Sequence, residues 1–291
     1  MYKALNYWVY GGFDGKKTPY EFIDFAAANG LDGIEITMED ALSIDATKEE
    51  CEKIAAYAAS KNIRIRTLAG GFFWGTQLGA DDAEERARAV EYGRKYLQVA
   101  AWIGAEGILV IPGASRVPWM DRPAQNYGDV WKHSQESIRQ LLPLAAELKV
   151  KIGLENVWGR FLFSPMEWKI YLEQLDSPWV GIYFDIANCC LYCCPQDYVR
   201  VLGADKIVAI HIKNFAESDC GGGLASFGDD LFDGIVDFKE LAAALKEVGY
   251  QGPTTVEMIP FSRGADMVLP DEELAVKMTR QIKELEEKYF G

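Results

Sequence analysis

Histidine is nearly absent from this chain: 291 residues include only His133 and His211. Basic residues are also scarce. Thirty Lys and Arg stand against 44 Asp and Glu, giving a formal charge of −14 and a pI near 4.7. A duplex-binding protein needs a basic face to displace phosphate counterions. No Lys/Arg cluster occurs here, so no nucleic-acid partner is expected. Anionic membrane surfaces are disfavoured on the same ground. No apolar run approaches the ~20 residues that cross a bilayer. Met1 to Val9 lacks a basic segment followed by a long apolar one, so it does not read as a signal peptide. A cytoplasmic location is the default expectation. No GxGxxG or P-loop pattern opens any helix, so a nucleotide-binding sheet would lack its phosphate cradle. Cysteine is present but incomplete as a framework. Four of the six lie at Cys189, Cys190, Cys193 and Cys194. Cys-x-x-Cys is half of a thiolate zinc site, and no second pair follows. Reduced structural thiols are expected instead; in a helix, Cys190 and Cys194 would share one face as small hydrophobes.

What the chain does have is an alternation of short apolar runs and amphipathic segments. Strands are expected at Ala4–Val9, Gly33–Ile36, Ile63–Leu68, Gly107–Ile111, Lys151–Glu155, Val180–Asp185, Ile207–His211 and Thr254–Met258. Helices are expected between them. Thr18 caps one that begins at Pro19 and stops at Asn29-Gly30. Thr47 opens another with a capping-box pattern to Glu50. Further helices span about Ala83–Ile103 and Val130–Leu148. Another follows Ser164-Pro165, and the next runs from Asp237 to Gly249. The last runs from about Asp271 to Tyr289. Eight strand–helix units without a composition break predict an α/β fold, a single (β/α)8 barrel over residues 1–291. The longest irregular stretch, Asn214–Val236, follows the seventh strand and reads as a functional loop.

Four of the predicted strands end in ionisable residues: Glu155 in "KIGLE", Asp185 in "VGIYFD", His211 in "IVAIH" and Glu257 in "TTVE". Side chains at the C-terminal ends of barrel strands face the mouth, where barrel active sites lie. Strands five to eight are consecutive, so the four converge. Three carboxylates at close range repel unless a cation sits among them. One imidazole and three carboxylates suit one divalent ion: Mn²⁺ foremost, with Mg²⁺, Co²⁺ and Zn²⁺ as alternatives. Lys213 lies two residues beyond His211, on the same side of the strand, within reach of a substrate oxygen. Aromatic residues crowd the predicted mouth: Tyr7, Trp8, Phe72, Phe73, Trp74, Trp119, Trp158 and Phe161. Trp74 and Trp158 follow strand ends directly and are expected to line it. His133 falls on a predicted helix and reads as a surface or satisfied histidine.

The segments "GLENVW", "YFDIAN", "AIHIKN" and "TTVEM", in that order, resemble the xylose-isomerase-like barrel superfamily. More narrowly they resemble its sugar phosphate isomerase/epimerase group, which includes the ketose 3-epimerases. "GLDGIEI" and "YQGPTTVEM" extend the resemblance over nearly the whole chain. It implies that Glu155, Asp185, His211 and Glu257 bind one divalent ion, with Glu155 and Glu257 doubling as the acid/base pair. The chain departs from the pattern in three places. Asn188 stands where many relatives carry His, at a substrate-facing position. Ile111-Pro112-Gly113 replaces a strand-four His. Lys213 stands in for a substrate-gripping Arg. Two histidines are too few for the multi-metal DNA-repair endonucleases of the superfamily.

The reaction so implied is isomerisation or epimerisation of a keto-sugar or polyol derivative. A proton moves at a carbon beside a carbonyl, through an enediolate. An alternative from the same group is a lyase cleaving carbon-linked 3-keto glycosides, for which a partner subunit would be expected. A non-catalytic sugar-binding barrel is a third reading, disfavoured by the presence of both Glu residues. A small-molecule sugar and a second copy of the chain are the expected partners.

Overall fold

A computed structural model describes residues 1–13, 15–217, 223–260 and 271–290. Eight parallel strands follow one another around a closed barrel. They are β1 (Ala4–Asn6), β2 (Gly33–Thr37), β3 (Arg64–Ala69), β4 (Gly107–Val110), β5 (Lys151–Glu155), β6 (Val180–Asp185), β7 (Ile207–Ile212) and β8 (Thr254–Val256). β8 closes on β1, with Ala4 opposite Thr255 and Leu5 opposite Val256. The helices are α1 (Tyr7–Gly11), α2 (Pro19–Ala28), α3 (Lys48–Ser60), α4 (Phe72–Gly75), α5 (Ala83–Ile103), α6 (Tyr127–Leu148), α7 (Pro165–Leu175), α8 (Pro195–Leu202), α9 (Phe238–Val248) and α10 (Asp271–Leu285). The chain therefore forms the expected (β/α)8 barrel.

Strand side chains alternate between two environments, as a pleat requires. Ile34, Ile36, Ile108, Val110, Ile152 and Leu154 join the large apolar cluster that includes the inner faces of the helices. Ala69, Leu109, Tyr183 and Ala209 form a separate small cluster inside the barrel. Space there is tight. A Cβ on Gly153 would lie 2.7 Å from the Tyr183 ring, so only glycine lets that ring fill the barrel.

Local signals set most helix ends. Thr18 with Glu21, Thr47 with Glu50 and Ser164 with Glu167 form reciprocal capping boxes. Gly104 and Gly249 end α5 and α9 in the left-handed region, at φ 83° and 71°.

Several expected boundaries shift. β1 stops at Asn6 rather than Val9, because the Asn6 side chain accepts a hydrogen bond from Trp8 N at 2.8 Å and caps α1. β8 stops at Val256, so Glu257 follows the strand instead of lying within it. Its N–H still donates to Ile212 O at 3.1 Å, which keeps it in register. The cysteine run is not helical. Cys193 N donates to Cys189 O at 2.9 Å in a turn, and Cys194 is the N-cap of α8, a helix the sequence reading missed. The thiols of Cys51, Cys189, Cys190, Cys193 and Cys194 are free. The last helix is α-helical only to Leu285, then continues as a π-turn over Glu286–Phe290. Of the irregular stretch Asn214–Val236, residues 218–222 lie outside the described residues.

Candidate metal centre

β5 and β6 deliver Glu155 and Asp185 from their last positions, and β7 delivers His211 from its penultimate one. Asp185 lies opposite His211 in the β6–β7 register. Glu257 follows β8. One donor atom from each of these four buried residues lies within 4.8 Å of the others. Asp185 is fixed by its surroundings. Its Oδ1 accepts from the N–H groups of Ala187 and Asn188, both at 2.9 Å. Asn156 bonds both its backbone N–H and its C=O at 2.8 Å. Its other oxygen, Oδ2, lies 2.9 Å from Lys213 Nζ, which is also 2.6 Å from Glu257 Oε2. Lys213 thus sits among the carboxylates of the site.

Behind His211 stands Glu35 of β2, a residue the sequence reading passed over. Its Oε1 lies 2.7 Å from His211 Nε2 and accepts from Asn6 Nδ2 at 2.8 Å. Its Oε2 accepts from Thr67 Oγ1 at 2.7 Å and from the Tyr183 hydroxyl. The signal was present in "GLDGIEIT": an acid at an inward-facing position of an otherwise apolar strand. A carboxylate at Nε2 makes that nitrogen the proton-bearing one and turns Nδ1 toward the site, an arrangement common behind metal-bound histidines.

The charges test whether these residues fit a cation. Burial, then the neighbouring Glu257 carboxylate, push Glu155 well above the ordinary carboxyl range. Burial alone would lower His211, but Glu257 and Glu35 outweigh it and push the imidazole up to about 10. Lys213 is likewise raised: burial opposes its charge, and Asp185 and Glu257 hold it on. An excess of buried negative charge thus favours the charged forms of His211 and Lys213, and burial together with that charge favours the neutral form of Glu155. His211 Nδ1 is fully buried and has no hydrogen-bond partner. It lies 3.5 Å from Glu257 Oε2 and 4.0 Å from Glu155 Oε1. An unpartnered imidazole nitrogen facing three carboxylates can serve one divalent ion.

The site opens into a cavity of about 540 Å³ at the strands' C-terminal ends. Trp74, Trp158, Asn188 and Lys213 line it, together with Glu155 and Glu257. So do Trp8, Phe72 and Trp119 among the expected mouth aromatics. Tyr7, Phe73 and Phe161 do not; each is buried in the apolar core. Phe13, Leu224 and Phe227 line the cavity unforeseen. Trp158 Nε1 donates to Asn188 O at 2.9 Å, tying two of the expected lining residues together. His133 lies on α6, 3.9 Å from Asp81, and not at the mouth.

The L-ribulose-5-phosphate 3-epimerase UlaE of Salmonella paratyphi C is 24% identical over 243 residues, covering 82% of this chain and 81% of that protein. A D-psicose 3-epimerase crystallised with D-fructose superposes with a TM-score of 0.77 at 16% identity, covering 98% and 96% of the two chains. The IolI protein with a bound zinc atom gives a TM-score of 0.77 at 16% identity over 100% of both chains. The model of the xylose isomerase-like TIM barrel family matches residues 23–285. With most of its length matched and its barrel closed in that family's form, this chain belongs to the xylose isomerase-like TIM barrel family.

Proposed function

We propose that this protein is a divalent-metal-dependent sugar epimerase or isomerase. It acts on a keto-sugar or polyol derivative by moving a proton at a carbon beside a carbonyl. The observation that carries the reading is the placement of Glu155 and Glu257. They come from strands that are not neighbours, β5 and β8, and both approach His211 Nδ1. The named relatives are sugar epimerases, which supports the same class of enzyme.

Glu155, Asp185, His211 and Glu257 would hold the ion, with Mn²⁺ as the first candidate. When bound, it supplies Lewis acidity that makes the proton beside a carbonyl easier to remove. The rest of the work belongs to the chain. One glutamate removes the proton at its carboxylate oxygen, and the other returns a proton from the opposite side. Burial, then the Glu257 carboxylate, push Glu155 above the ordinary carboxyl range, toward the protonated form that an acid role requires. Lys213 Nζ, poised between Asp185 and Glu257, orients a substrate oxygen. Asn188, Trp74 and Trp158 position the sugar from the cavity wall.

Turnover of a keto-sugar in D₂O should place deuterium at the reacting carbon, as read by NMR. Glu155→Gln and Glu257→Gln should each slow turnover about 10²–10⁴-fold, the usual share of a positioned acid or base. Unslowed turnover in both variants at saturating metal would refute the assignment.

A further inference from the structure

A second cavity lies at the other end of the barrel from the metal centre. It measures about 650 Å³, against about 540 Å³ at the mouth. Small-molecule sites fall in this size range. Lys3, Asp32, Arg64 and Thr254 line it, at or just before the first residues of β1, β2, β3 and β8. Lys246, in the last turn of α9, and Tyr250 line it from the side. Barrel active sites lie at the opposite, C-terminal face, so the proposed chemistry makes no use of this end.

The lining reverses the sign of the chain. Acids outnumber bases 44 to 30 overall. Among the described lining residues, Lys3, Arg64, Arg66 and Lys246 stand against Asp32 alone. Basic side chains gathered in a recess focus a positive potential there. Two of the four are already paired. Lys3 Nζ lies 3.1 Å from Asp32 Oδ2 and 2.8 Å from Glu286 Oε2. Arg66 donates from Nε and Nη2 to the two oxygens of Glu106, each at 2.7 Å. Arg64 and Lys246 engage no carboxylate among the described residues.

Arg64 is held rather than left to sweep through solvent. Its guanidinium carbon lies 4.7 Å from the centroid of the Tyr2 ring, and that of Arg66 lies 5.2 Å from the same ring. The Tyr2 hydroxyl donates to Arg64 O at 3.1 Å. A Cβ on Gly33 would overlap both that hydroxyl and the Arg64 carbonyl, so glycine there makes the bond possible. The strand pairing is also broken at this point. Ile34 lies opposite Ile65 and Glu35 opposite Thr67, which leaves Arg66 as the extra residue of a bulge. Bulges re-aim the side chains they carry. A stacked guanidinium loses less freedom when it binds an anion.

We propose that this cavity binds the phosphate monoester of a small organic molecule, at a site separate from the metal centre. Two unpaired cations match a dianion: Arg64 offers a bidentate fork, and Lys246 a point charge. The organic part fills volume that a bare phosphate leaves empty, against Tyr250 and Tyr289. The walls come from both sides of the β1–β8 closure, so the ligand binds the folded barrel and stabilises it.

The test uses the full-length protein, with and without Mn²⁺, and three probes: glycerol 3-phosphate, inorganic phosphate and glycerol. Calorimetry should show glycerol 3-phosphate binding about tenfold or more tightly than inorganic phosphate, and glycerol least tightly. Its affinity should be the same with and without Mn²⁺. Saturation should raise Tm by about 3 °C or more. Arg64→Gln and Lys246→Gln should each weaken the ester about tenfold or more and leave Mn²⁺ affinity unchanged. Far-UV circular dichroism checks that both variants fold. Parent-like affinity in both variants overturns the proposal. So does ester binding that requires Mn²⁺, which would put the phosphate at the metal centre. Inorganic phosphate or glycerol binding as tightly as the ester overturns it too.

Discussion

Glu35 orders the centre without being one of its expected ligands. Burial, the largest influence on it, would raise its pKa; His211, Tyr183 and Asn6 outweigh that and hold the carboxylate below its ordinary value. Glu35→Gln removes the charge that fixes Nε2 of His211 as the proton-bearing nitrogen. Mn²⁺ affinity should fall about 10–100-fold by calorimetry, the usual cost of losing such a partner. An unchanged Kd would show that His211 needs no such support. His211 itself makes a second expectation. In the ion-free protein its pKa is pushed up to about 10, so at pH 7 the imidazole carries a proton that an ion at Nδ1 must displace. Metal binding should therefore release at least one proton. Affinity should tighten by about tenfold per unit as pH rises from 6 to 8 and weaken as it falls. Titration in buffers of different ionisation enthalpy counts the protons, and a count of zero would remove His211 from the ligand set.

The Asn214 side chain links the two ends of the segment after β7. Asn214 Nδ2 donates to Leu231 O at 2.7 Å, while its Oδ1 accepts from Phe215 N at 2.8 Å and from Val236 N at 3.1 Å. These bonds join the two ends of the irregular stretch. They hold Phe215 and Phe227 against Trp158, with centroid distances of 5.9 and 5.0 Å. Asn214→Ala leaves two buried backbone N–H groups and a carbonyl without this partner, at a cost of about 1–3 kcal/mol. Lower Tm and faster proteolysis within residues 214–236 are expected. A variant as protease-resistant as the parent would mean that the segment is held by something else. Elements with strong ends, such as the capping boxes of α2, α3 and α7, were legible in the sequence. The short α1 and α8 were not. Five and eight residues carry too little periodicity to separate a helix from its neighbours.

On the scale of the molecule, an acidic chain places Glu35, Glu155, Asp185 and Glu257 around two cations, Lys213 and His211, in the barrel. An ion that binds there stabilises the folded state alone, by about 2.7 kcal/mol at a hundred times its Kd. Dialysis against EDTA should lower Tm by roughly 5 °C or more relative to Mn²⁺-loaded protein. Far-UV circular dichroism should stay the same, because the apolar cluster between strands and helices does not involve the site. If no divalent ion shifts Tm, the four residues are not a metal centre.

The order of the strands and longer helices and the convergence of the four strand-end residues were readable in the sequence because each rests on a local pattern. A two-residue alternation fixes which side chains face inward, and a strand's last inward position faces the mouth. Thus "KIGLE" and "VGIYFD" already carried Glu155 and Asp185 to their places. Contacts across the barrel depend instead on closure, which brings together residues far apart in the chain. Glu35 meets His211, 176 positions away, only because β2 and β7 line the same interior. Closure also leaves Lys213 with two carboxylate partners, and it sends Tyr7, Phe73 and Phe161 into the core while Phe13 and Trp119 stay at the rim. An aromatic residue in a loop has the same hydrophobicity in either place. Which side of the wall it occupies is decided by the packing of the elements around it, and composition does not encode that.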